Sequence, residues 1–185
     1  MKGNRAVLTA VVIVVVLIAG WWLFKRGRPA GAVHLIDRFE QAKKQPDDPA
    51  LFSIVDATLN GETKKSIAVA PAPGTRITWR VSPVPDDGWL SVNVGLKPEA
   101  WTTEGDGVLF YVGVSDGRAF EPLFTQHVHP FANSGDRKWI QVMVDLSAYA
   151  GEDVDLIFNS RSGQPEKGDI RGDYALWGQP EIVQR

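Results

Sequence analysis

A two-residue alternation of apolar and polar side chains runs through the chain from Leu51 onward, and it limits the fold more than any other feature. Leu90, Val92, Val94 and Leu96 fall on one side of the period, with Ser91, Asn93 and Gly95 on the other. Val108, Phe110, Val112 and Val114 repeat it. So do Ile77, Trp79 and Val81, then Ile140, Val142, Val144 and Leu146, then Val154, Leu156 and Phe158. Successive strand side chains point to opposite faces, so each run predicts a strand with one buried face. Turn-forming clusters separate the runs at Asp86-Asp87-Gly88, Glu104-Gly105-Asp106-Gly107, Asp116-Gly117, Ser134-Gly135-Asp136 and Gly151-Glu152-Asp153. Roughly eight to ten strands with almost no helix after position 50 predict an all-β fold, a two-sheet antiparallel β-sandwich of the jelly-roll type. Trp79, Trp139 and Trp177 lie in or beside strands and are expected in the core.

The N-terminal segment obeys a different rule. Ala6 to Phe24 carries no charge, and as a helix it would rise about 28 Å, close to the thickness of a bilayer's hydrocarbon core. Trp21 and Trp22 close the run where indole rings favour the lipid–water interface. The run is longer than a signal-peptide core, and Lys25, Arg26 and Arg28 separate it from the small residues Ala30-Gly31-Ala32. Residues 1–26 therefore predict a retained signal anchor with one transmembrane α-helix over about 6–24, its amino terminus inside. Residues 27–50 predict a linker with a short helix, since Val33, Ile36, Phe39 and Ala42 are spaced by three before Pro46 and Pro49 intervene. Residues 51–185 are left for the sandwich.

Charge and composition exclude several functions. Lys2, Arg5, Lys25, Arg26 and Arg28 precede the domain, which keeps 15 basic against 22 acidic side chains, a net of −7. That sign opposes binding to nucleic acid, which rests on Lys and Arg contacts to phosphate. The absence of cysteine removes thiolate chemistry. There is no Gly-x-Ser-x-Gly, no His-Glu-x-x-His and no phosphate-binding glycine loop, so a non-enzyme with no catalytic residue is expected, the alternative being a convergent glycan-active site built from separate loops.

The second half carries a recognisable pattern. Gly107-Val108-Leu109-Phe110-Tyr111-Val112-Gly113-Val114 is followed by Lys138-Trp139 and by Val144-Asp145-Leu146-Ser147-Ala148-Tyr149-Ala150-Gly151. Val154-Asp155-Leu156-Ile157-Phe158 and Trp177-Gly178-Gln179-Pro180-Glu181-Ile182 complete it. This resembles the galactose-binding-domain-like jelly rolls, which include bacterial carbohydrate-binding modules. The resemblance covers positions 75–183 and implies a jelly roll. It also implies glycan binding at loops, often beside a structural calcium held by loop oxygens, or else protein–protein contacts in an accessory domain.

Residue chemistry suggests where a ligand would sit. A sugar site combines an aromatic face with planar polar groups. Trp101, outside any alternating strand, is the first platform candidate and Trp89 the second, with packing under a loop as the alternative for both. Asn159, Arg161 and Gln164 could supply hydrogen bonds. His127 and His129 share a strand face at a spacing that can bind metal or border a ligand, although no motif supplies a third ligand. Oxygen ligands for calcium are available at Glu104, Asp106, Asp116, Asp153, Asp155, Asp169 and Asp173. Together these readings predict a single-pass protein in the cell membrane whose carbohydrate-binding-like domain faces the extracytoplasmic side of the cell envelope. Its expected partners are the lipid bilayer and a glycan. The alternative is a non-catalytic scaffold or accessory subunit that contacts a protein in an envelope complex.

Overall fold

The computed structural model describes residues 31–185. The expected transmembrane helix lies outside them, and among the described residues no helix is long and apolar enough to cross a membrane. The strands are β1 (Val33–His34), β2 (Lys43–Gln45), β3 (Phe52–Leu59), β4 (Glu62–Val69), β5 (Gly74–Val81) and β6 (Gly88–Leu96). They continue as β7 (Val108–Ser115), β8 (Phe120–Val128), β9 (Ile140–Asp145), β10 (Val154–Ser162) and β11 (Ala175–Gln184). One sheet, A, runs β3-β4-β11-β6-β9, with β1 added on β11; the other, B, runs β2-β5-β10-β7-β8. Neighbours pair antiparallel throughout, which gives the two-sheet sandwich that the alternation predicts.

The inward residues of the two sheets make the core. Leu90, Val92, Val94 and Leu96 of β6 meet Val108, Phe110, Val112 and Val114 of β7 among its buried side chains. Removing apolar surface from water supplies the drive, and interdigitation at crystal-like density fixes the partners. Phe158 stands at its centre, 5.0 Å from the Trp79 ring centroid and 4.6 Å from that of Trp177. Phe110 meets Trp177 edge-on at 4.9 Å, so these aromatics lock the sheets by favoured ring geometry as well as by area.

A second, smaller cluster covers part of the outward face of sheet A. Leu59, Ala68, Trp139 and Leu176 are buried there, with Trp101 and Val55 packed against them. The Trp139 indole N–H donates to the Glu62 carbonyl at 2.9 Å, so its ring is pinned across the strands. Gly178 makes this approach practicable, because a Cβ there would stand 2.9 Å from the Trp139 ring. The β3–β4 hairpin turns on Asn60 and Gly61, both at positive φ (48° and 81°), which is the turn chemistry that matches strand twist.

Residues 33–45, read from the sequence as linker, join both sheets. β1 pairs β11 and β2 pairs β5. Between them Leu35–Gln41 forms a 3₁₀ helix that buries Leu35 and Phe39. The non-helical backbone at Arg38 interrupts it, and Leu35, which lies off the spacing-of-three stripe, is buried in place of Val33 and Ile36, which are half-buried.

Candidate functional site

β10 lies between β5 and β7 in sheet B, so its outward side chains stand at the middle of a face. The register there places Gln45, Arg76, Asn159, Tyr111 and Thr125 in one row across the five strands. The adjacent row holds Gly74, Arg161, Leu109 and His127. At the β2 side of these rows an open groove of about 630 Å³ is lined by Gln45, Pro46, Arg76, Asn159, Arg161 and Pro165, among others.

The groove's polar groups are oriented but not consumed. Arg76 Nε donates to Asn159 Oδ1 at 3.2 Å, which fixes the guanidinium against the amide. Its terminal nitrogens, the Asn159 amide N–H groups and the Arg161 guanidinium donate to no other described residue. Arg161 lies over the Tyr111 ring with its Cζ 5.7 Å from the centroid, and an arginine stacked in this way keeps its edge donors available.

Asp106 holds the loop that forms the rim. Its buried carboxylate accepts hydrogen bonds from Ser162 Oγ at 3.1 Å and from the backbone N–H groups of Gly163 and Gln164 at 3.0 Å each. Its carbonyl accepts from His127 Nε2 at 2.8 Å. Gly163 is required here, because a Cβ at that position would collide with the Asp106 carbonyl.

The remaining sequence candidates are distributed over the molecule. Asn159 and Arg161 come together in the groove, Gln164 begins its rim, and His127 ends the second row. Trp101 stands on the other sheet, half-buried against the Trp139 cluster, with its indole N–H donated to the Leu96 carbonyl at 3.3 Å. Trp89 is also on sheet A, with the Arg185 guanidinium 4.8 Å from its ring. The His129 ring lies 5.7 Å from that of His127, its Nε2 buried without a partner. Tyr111, Arg76 and Gln45, which the sequence reading passed over, are the additions. Tyr111 and Arg76 alternate with core residues in plain strand pattern, Gln45 ends a short polar strand, and only strand register brings them beside Asn159.

The acidic candidates do not gather into one cluster. Calcium takes roughly six to eight oxygens, yet among the described residues no group of three or more His, Asp or Glu gathers closely enough to hold a metal ion. Asp106 is spent on the rim. Asp116 accepts from the backbone of Arg118 and Ala119, which lowers its pKa. Asp153 and Asp155 face Arg80 at 3.9 and 3.2 Å. Asp169 binds Arg171 through two hydrogen bonds of 3.0 and 2.8 Å, which lower its pKa to about 2, and Glu104 is exposed. Asp173 differs: both carboxylate oxygens are buried without a partner. Burial, then the charges of Asp106 and Asp169, push its pKa up to about 7.

No family model matches the chain. Over 100 residues it is 39% identical to an uncharacterized protein of Archaeoglobus fulgidus, a stretch covering 54% of this chain and 25% of that one. The chain therefore spans about a quarter of that relative's length. Among solved structures it is similar to the carbohydrate-binding module TmCBM61, in complex with β-1,4-galactotriose. The TM-score is 0.51 at 11% identity, covering 80% of this chain and 90% of that one. It is also similar to the tandem CBM51 modules of a family 98 glycoside hydrolase from Streptococcus pneumoniae, with a TM-score of 0.55 at 15% identity, covering 84% and 47%. These likenesses show the fold: the described residues form a jelly-roll sandwich of the kind seen in these carbohydrate-binding modules.

Proposed function

We propose that this chain is a membrane-tethered, non-catalytic carbohydrate-binding protein whose sandwich works outside the cytoplasm. The observation that carries the reading is the groove on sheet B, where Asn159, Arg76 and Arg161 present hydrogen-bond donors that no described residue uses. Asn159 is buried, Arg76 half-buried and Arg161 exposed over the Tyr111 ring, and donors oriented in this way suit a ligand rich in hydroxyl oxygens, because less order remains to be imposed on binding. The jelly-roll likeness to carbohydrate-binding modules supports the same class of ligand. The apolar run at Ala6–Phe24 supports the tether.

The scaffold alternative needs a contiguous apolar face. Among the described residues the exposed large hydrophobics are Ile54, Phe120 and Phe131. Ile54 is on sheet A, whereas Phe120 begins β8 and Phe131 lies beyond its far end, so they do not form one patch.

The test is retention of the full-length chain, in detergent micelles, by a panel of immobilised polysaccharides. Wild type should be retained by at least one of them, and Arg161→Ala, which truncates an exposed side chain, should weaken retention with little change in Tm. No retention on any polysaccharide would refute the reading. For the tether, the protein should stay with the membrane pellet after an alkaline wash, and a reporter fused after Arg185 should be active outside the cytoplasm. A cytoplasmic reporter signal would overturn that part.

A further inference from the structure

The domain is acidic, with a net charge of −7, yet its groove carries only positive charge. Arg76 and Arg161 line it and no carboxylate does. Neither arginine is within ion-pair distance of an acid among the described residues, in contrast to Arg80 and Arg171, which face Asp153, Asp155 and Asp169. The acids of the same face, Asp155 on β10 and the adjoining Asp153, are both turned to Arg80. Lys43 adds a further exposed cation on β2, in register with Thr78. Asp47 and Glu166 follow the rim prolines Pro46 and Pro165 and line no part of the groove. Asp173 shares a separate cavity of about 10 Å³ with Arg161 but forms no ion pair with it.

Water solvates two guanidinium groups on an open face, so leaving them unpaired costs little and keeps their donors free for an anion. A planar guanidinium presents parallel N–H groups that fit the two oxygens of an anionic group, and such charge-assisted bonds are about twice as strong as neutral ones. Arg76 is oriented by Asn159 and Arg161 by Tyr111, so both forks are held before a ligand arrives. The two arginines sit diagonally on adjacent strands, within reach of a single residue of a saccharide chain.

We propose that the groove binds an acidic carbohydrate, with Arg76 and Arg161 gripping anionic substituents along the chain and Asn159 and Gln45 bonding its hydroxyls. This rests on the carbohydrate-binding reading of the same groove and names the class of glycan. The anionic groups can be uronate carboxylates or ester sulfates, and both offer the same paired oxygens.

The experiment compares full-length protein in micelles on polygalacturonate, dextran sulfate, galactan and dextran by affinity electrophoresis, at low and moderate salt. Retention on polygalacturonate or dextran sulfate should exceed that on the neutral polymers, and should weaken as salt rises. The acidic polymer that binds tells carboxylate from sulfate recognition. Arg161→Gln should weaken retention about tenfold, the scale of a hydrogen bond to a charged group. Arg161→Lys should recover it only in part, because the charge returns without the fork. Arg118→Gln, at an exposed hairpin turn, should change nothing. Equal retention on neutral polymers would overturn the acidic preference while leaving carbohydrate binding intact. Loss of retention in Arg118→Gln equal to that in Arg161→Gln would also overturn it, because attraction would then be diffuse. No retention on any polymer would overturn both readings.

Discussion

Arg161 rests on Tyr111, its guanidinium carbon 5.7 Å from the ring centroid, so the aromatic ring of one strand positions the cation of the next. At a solvent-exposed site such a contact contributes about 0.5–1 kcal/mol. Tyr111→Leu should accordingly weaken polysaccharide retention by about two- to fivefold, whereas Tyr111→Phe, which keeps the ring, should bind nearly as wild type. Isothermal titration or affinity electrophoresis reads the difference. Equal binding by Tyr111→Leu and wild type would remove Tyr111 from the site.

Asp106 ties the loop after β10 to the loop before β7 through three donors, two of them backbone N–H groups. Asp106→Ala leaves those donors unsatisfied in a buried place, at a cost of about 3 kcal/mol or more. For a domain of this size that corresponds to a fall of about 6–12 °C in Tm. Differential scanning calorimetry, with a chelator and with added calcium, checks it. A Tm that falls by this amount irrespective of calcium supports a structural staple; a Tm raised by calcium in wild type but not in Asp106→Ala would make Asp106 part of a metal site.

Trp177 is 1% exposed at the junction of three aromatic rings. Trp177→Ala should cost about 3–5 kcal/mol by the transfer and cavity terms together. Trp101 packs half-buried on the smaller cluster and should cost about 1–2 kcal/mol when truncated, with binding on sheet B unaffected. Urea denaturation midpoints order the two. Loss of glycan retention in Trp101→Ala would move the site to sheet A.

The buried carboxyl of Asp173 gives stability a pH dependence of fixed sign. Its folded pKa is raised to about 7, against roughly 4 for an unfolded aspartate. Between those values the folded chain holds a proton that the unfolded chain has lost. Stability therefore falls as pH rises from about 4 to about 7, and this contribution levels off above it. Asp173→Asn cannot ionise, so its Tm should fall less than that of wild type between pH 5 and pH 8. An unchanged difference between the two pH values would show that Asp173 is not the group responsible.

Much of the fold is legible in the sequence because strand alternation is local. Val108, Phe110, Val112 and Val114 announce their buried face within a single segment, and Asp116-Gly117 marks the turn that follows. The site is legible only in part, because its members meet through register. Arg76 and Asn159 are 83 residues apart, and nothing near either names the other. Trp101 stands outside any alternating run, so the sequence leaves it either at a ligand or packed under a loop; the 3₁₀ turn Pro98–Trp101 brings it onto the Trp139 cluster. A signal for that second cluster existed. Ile67-Ala68-Val69 and Ala175-Leu176-Trp177 are unbroken apolar runs, the pattern of strands covered on both faces.

The indole of Trp139 lying against Gly178 divides the labour between the two sheets. Around Trp139 sheet A is committed on both sides: a larger side chain at Gly178 must displace a ring that is itself hydrogen-bonded to the neighbouring hairpin. The outer side of sheet B carries no such obligation, since its groove residues answer to solvent and to one another. A lineage built on this plan can exchange the residues at 45, 76 and 161 and so change what it recognises, without renegotiating how it folds.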